Sequence, residues 1–135
     1  MRVVIEPNPA AAARFAARCV AEWVTRKPEC VLALAAGATM VPVYREVVAL
    51  HRRERVSFAR ARAFDLDEYA GLAGDDPRSF VRFVREHVVE RVDFSAGHHF
   101  APDACAADLD AECARYEAAI VSAGVAPLNA RVPVH

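Results

Sequence analysis

Phe64-Asp65-Leu66-Asp67-Glu68-Tyr69 places three carboxylates within four positions, directly behind an apolar run. A carboxylate at the end of a buried strand, crowded by other carboxylates, resists ionisation and is suited to act as a general base. The same acids also fit a polar loop that caps the next turn. A second stretch, Ala35-Ala36-Gly37-Ala38-Thr39, is a small-residue turn that opens a helix. Backbone N–H groups at the positive end of a helix dipole form a seat for phosphate. An ordinary strand-to-helix turn with Thr39 as N-cap reads the same way, and no Walker lysine follows. His98-His99, with Asp103 and Cys105 nearby, supplies metal-ligand residue types. Adjacent residues on a strand point to opposite faces, so no shared metal is expected there.

The elements that must position these residues follow from periodicity. Arg2 to Ile5 and Cys30 to Leu34 are apolar runs suited to buried strands, and Val56 to Phe64 leads into a third. Asn8-Pro9 predicts a helix start, and Pro28 its end. Phe15, Cys19 and Trp23 recur along that helix as its inner stripe, with Ala16, Val20 and Val24 alongside; Trp23 and the phenylalanines read as core. A second helix is predicted from Thr39 to His51, with Val43, Tyr44, Val47 and Val48 inward. Arg52, Arg53 and Arg55 read as a solvated connector. Asp76-Pro77 predicts a third helix to Glu90, burying Phe80, Phe83, Val84, His87 and Val88, with His87 a satisfied core histidine. His98 to Phe100 reads as a short strand. Asp108 to Ser122 reads as a last helix striped by Leu109, Cys113, Tyr116 and Ile120. Strands alternating with helices imply a parallel, three-layer α/β sheet. Ligands of such sheets bind beyond the strands' carboxyl ends, so the Gly37 turn and the acidic stretch are expected on one rim.

Composition bounds the remaining possibilities. The 135 residues are 55% hydrophobic and 26% charged with a formal net charge of -1, as expected of one soluble globular domain. Near-neutral charge gives no reason to expect nucleic acid or anionic lipid as a partner. The longest apolar run, Val31 to Val43, is too short to span a bilayer. The N-terminus does not read as a signal peptide. Cys19, Cys30, Cys105 and Cys113 lack CxxC spacing and read as reduced thiols of a cytoplasmic protein.

The motif Phe64-Asp65-Leu66-Asp67-Glu68-Tyr69, then Gly71-Leu72, then Pro77-Arg78-Ser79-Phe80, resembles the glucosamine-6-phosphate deaminase family. Leu32-Ala33-Leu34-Ala35-Ala36-Gly37-Ala38-Thr39 resembles that family's strand and phosphate turn. Val56-Ser57-Phe58, Ala101-Pro102-Asp103 and Asp110-Ala111-Glu112-Cys113-x-x-Tyr116-Glu117 follow it in order. Related lactonases typically carry arginine where Tyr69 stands, which favours the deaminase branch. The resemblance implies a Rossmann-like fold and conversion of glucosamine 6-phosphate to fructose 6-phosphate and ammonia, with no metal or organic cofactor. Asp67 matches the general base and Glu68 is its neighbour in the motif. Gly37, Ala38 and Thr39 match the phosphate-binding turn. Ala36 and Ala38 depart from the family's threonine and glycine, removing a hydroxyl and adding a Cβ.

The resemblance spans residues 1–123, read as the N-terminal part of such a domain. Residues 124–135 read as a tail outside it, and His135 matches no family position. The family's histidine loop and later phosphate clamps have no counterpart here. The expectation is a truncated deaminase, inactive alone, with an open sheet edge that promotes self-association. The competing expectation is a non-catalytic sugar-phosphate-binding module.

Overall fold

The computed structural model describes residues 3–125. The tail expected at 124–135 therefore lies, from residue 126, outside the described residues. Three short parallel strands form one sheet in the order β1-β2-β3: Val31–Leu34, Arg62–Asp65 and His99–Phe100. Four helices surround them: α1 Pro9–Arg26, α2 Met40–Glu54, α3 Phe80–His87 and α4 Leu109–Ser122. Val89–Arg91 adds one 3₁₀ turn behind α3.

Strand register sorts side chains between the two faces of the sheet. Leu34 pairs with Asp65, and Leu32 pairs with Ala63, which pairs in turn with His99. Leu34 and Ala63 join a core with Ala17, Ala21 and Val24 of α1, Tyr44 and Val47 of α2, and Val84 and Val88 at α3. Phe64, one residue along, faces the other side. There it stacks on Phe100 at 4.6 Å and meets the Tyr116 ring of α4 at 5.8 Å. Helices thus cover both faces, giving the three layers. Over β1 the α4 side stays open, with Ala33 exposed.

Several expectations are corrected. Val3, Val4 and Ile5 form no strand and are 71%, 41% and 91% exposed, because no described strand lies beside them to complete a ladder; Arg2 lies outside the described residues. The buried face of α1 is Ala13, Ala17, Ala21 and Val24, while Cys19 is exposed and Trp23 is 45% exposed. Alanines let α1 approach α2 closely, and Trp23 lies outside under Lys27, whose Nζ sits 5.3 Å from its ring. α3 starts at Phe80 rather than Pro77, because Ser79 caps it by accepting from the Arg82 amide. Asp76 instead holds the Arg78 amide and guanidinium in the preceding turn. The stripe expected on α4 is also displaced. Leu109 and Cys113 are exposed, and the helix's buried residue is Glu112, which is held by a charged partner.

Candidate functional site at the carboxyl ends of β1 and β2

The two rim loops leave neighbouring strands side by side. The Leu66 amide donates to the Leu34 carbonyl at 3.0 Å, carrying the ladder past both strand ends. Behind β1, Gly37 takes φ 121, a conformation only glycine adopts readily, although a Cβ there would meet nothing within 4 Å. The requirement is therefore dihedral and not steric. Ala38 has no positive φ, so its side chain is tolerated. The Met40 and Val41 amides turn back onto the Gly37 and Ala38 carbonyls at 2.9 and 3.3 Å. The amides of Gly37, Ala38 and Thr39 have no acceptor among the described residues. Thr39 is the cap residue of α2, with no side-chain cap bond. The Tyr44 hydroxyl donates to the Ala35 carbonyl at 2.6 Å and pins the turn to α2. Burial first, then the charge of Asp65, pushes that hydroxyl's pKa up to about 12 against the Ala35 bond.

The three acids behind β2 have three different fates. Asp65 is 2% exposed, its Oδ1 accepting from His99 Nε2 at 2.9 Å. Its Oδ2 is buried with no partner among the described residues. Burial pushes the Asp65 carboxyl up; His99 opposes this, while Glu68 and Asp67 add to it. Glu68 gathers the start of α3. Its oxygens accept from the Ser79 hydroxyl and from the amides of Tyr69 at 2.8 Å, Phe80 at 3.1 Å and Val81 at 3.0 Å. Burial alone would raise its pKa, but these bonds hold it below the usual carboxylate range. Asp67 is exposed and has no hydrogen-bond partner among the described residues. It lines a groove of about 320 Å³ with Leu66, Ala70, Pro102, Leu109 and Tyr116.

The structure places the Gly37 turn and Asp67 on one rim, but joins them by no hydrogen bond among the described residues. Two supports escaped the sequence reading. The Asp65–His99 pair depends on strand register, since His99 stands opposite Ala63 on the same face as Asp65. Glu112, buried on α4, accepts from the Asp103 amide at 2.8 Å and grips Arg115 through both oxygens at 2.6 Å. The Arg115 guanidinium, with the Asp103 amide, holds Glu112 down to about 2. This clamp fixes the Pro102–Ala104 wall of the groove. His98 turns away from His99, its Nδ1 bonding the Ala61 carbonyl at 3.0 Å. Among the described residues no three His, Cys, Asp or Glu side chains gather as metal ligands. No helix among them is long and apolar enough to cross a membrane.

Comparison with known proteins follows the same lines. Residues 8–133 match the family model of glucosamine-6-phosphate isomerases/6-phosphogluconolactonase. The chain is 42% identical over 124 residues to a glucosamine-6-phosphate deaminase of Mycolicibacterium smegmatis, covering 92% of this chain and 48% of that protein. It is 44% identical over 124 residues to one from Beutenbergia cavernae, again covering 92% and 48%. Among solved structures, a monomeric glucosamine-6-phosphate deaminase superposes with TM-score 0.89 at 38% identity, covering 92% of this chain and 52% of that one. A 6-phosphogluconolactonase of Thermotoga maritima shares the fold, with TM-score 0.71 at 22% identity over 90% and 53%. The chain spans about half the length of the curated relatives it matches. With the model matched along most of its length, the chain belongs to the glucosamine-6-phosphate isomerase/6-phosphogluconolactonase family.

Proposed function

We propose that this chain supplies the N-terminal half of a glucosamine-6-phosphate deaminase site in a cytoplasmic protein. Asp67 moves a proton from C2 to C1 of the opened amino sugar. Hydrolysis of the resulting C2 imine gives fructose 6-phosphate and ammonia. The amides of Gly37, Ala38 and Thr39 receive the substrate phosphate. Glu68 sits beside the base and holds its loop against α3. The pathway calls for a positioned base and stabilisation of a developing oxyanion, without metal or organic cofactor. The observation that carries the reading is the freedom of Asp67. It alone of the three acids is exposed and without a hydrogen-bond partner among the described residues, and it lines the groove on the rim that also carries the loop of the free amides. Four unpaired cysteines agree with a cytoplasmic setting.

The test is a fusion of residues 1–122 to the C-terminal half of the M. smegmatis relative, assayed for ammonia release. Asp67→Asn is expected to lower turnover by about 10²-fold or more. The 135-residue chain alone is expected to release no measurable ammonia. Turnover unchanged by Asp67→Asn sinks the assignment of the base. A second reading, sugar-phosphate binding without catalysis, draws on the Gly37 turn, whose free amides need none of the acids. It prevails if the fusion binds glucosamine 6-phosphate and turns over none.

A further inference from the structure

The basic connector at the end of α2 does not disperse into solvent. Arg52 and Arg53 share one groove with Arg45, two helical turns earlier, and with His87 and Arg91 from α3 and the 3₁₀ turn. Val48 and Ala49 form its apolar floor, its volume is about 460 Å³, and no carboxylate lines it. Two acids that might neutralise it are engaged elsewhere. Glu86 is bound to Arg82 at 2.7 Å and Glu90 to Arg85 at 3.0 Å. Glu46 reaches Arg53 only at 3.9 Å. Arg45, Arg52 and Arg91 have no carboxylate partner among the described residues, and residues 1–2 and 126–135 contain no Asp or Glu. His87 Nδ1 is taken by the Phe83 carbonyl at 2.8 Å, leaving Nε2 for another partner.

The groove between α1 and α2 shows the ordinary arrangement, with Arg18 and Arg26 interleaved with Glu22 and Glu54. In a chain of net charge -1, four guanidinium groups around one hollow repel one another, with Glu46, 3.9 Å from Arg53, as the one carboxylate paired to them among the described residues. A bound anion relieves that repulsion. Guanidinium forks match phosphate oxygens in pairs, and several forks exceed what one carboxylate can use. The volume suits a small organic ligand, and the floor offers a seat for its carbon body. The geometry points to this groove as a binding site for a small organic molecule carrying two or more phosphate charges. It shares no residue with the rim at Gly37 and Asp67.

Equilibrium dialysis of the full chain against radiolabelled pyrophosphate, at about 0.15 M KCl to screen exposed charge, tests this. Saturable binding is expected. Arg45→Gln with Arg52→Gln should weaken it about tenfold or more, while Arg18→Gln with Arg26→Gln changes it by less than about twofold. Arg45→Lys with Arg52→Lys keeps the charge without the forks and should retain part of the affinity, separating a lost site from a lost fold. Absence of saturable binding up to about 10 mM overturns the proposal. So does equal weakening by both arginine pairs. Loss of binding in Gly37→Val, with binding intact in Arg45→Gln/Arg52→Gln, also overturns it and moves the anion to the rim.

Discussion

Asp65 and Glu68 are three residues apart and are pushed in opposite directions by their surroundings. Glu68 has a folded-state pKa below its ordinary 4.5, so its stabilising contribution is complete above that value. It is lost as pH falls through the lowered folded value. Asp65 has the opposite sign, since burial raises it above 3.8. Its contribution is present below 3.8 and lost as pH rises through the raised folded value. Glu68→Gln puts an amide donor among donors at the head of α3 and is expected to cost about 1–2 kcal/mol at neutral pH, read by urea unfolding. The variant's stability should also fall less steeply than the wild type's below about pH 4.5. The loop-cap reading of the acids and the general-base reading were both open from sequence. The structure gives the cap to Glu68 and leaves Asp67 exposed. Asp65 was hidden as a partner of His99, because a hydrogen bond between positions 34 residues apart follows from strand register and not from local pattern.

At the scale of elements, helix existence was legible and helix faces were less so. Hydrophobic weight placed Phe15, Cys19 and Trp23 inward on α1, but close approach to α2 rewards small side chains, and Ala17 is fully buried. Ala17→Leu is therefore expected to destabilise the protein by about 1–3 kcal/mol through overpacking. Trp23→Ala, at a position 45% exposed, should cost less than about 1 kcal/mol. Thermal unfolding of the two variants side by side checks the order, and the reverse order would restore the aromatic stripe as the buried face. α3 was misplaced by three residues for a related reason. Asp76-Pro77 carries a local start signal, while the operative cap is Ser79 with Glu68, whose side chain arrives from 11 residues away. Tertiary caps of this kind leave little local trace.

At the scale of the whole molecule, the described residues form a three-stranded sheet in which β1 has one hydrogen-bonded neighbour. Ala33 is exposed on the α4 side, and Val3 and Ile5 are exposed near the N-terminus. An open strand edge beside apolar surface invites pairing with another copy. Sedimentation at rising concentration should show self-association, whereas a monodisperse monomer throughout would count against it. The βαβ order, the shared rim and the family were legible because they rest on contiguous motifs such as Asp67-Glu68-Tyr69. The Glu112–Arg115 clamp and the arginine groove were not, since they assemble from separated positions. One hydroxyl on the rim has a further consequence. Tyr116 lies within hydrogen-bond distance of the Asp65 carbonyl, 2.8 Å, and the Phe100 carbonyl, 3.1 Å, yet it has one hydrogen to give. It stands guard over both strand-end acceptors while lining the groove that Asp67 enters. A hydroxyl-rich molecule arriving there meets two carbonyls that already compete for one donor. Its own hydroxyls are left to solicit side chains, and Asp67 is the carboxylate lining that groove that has no hydrogen-bond partner among the described residues.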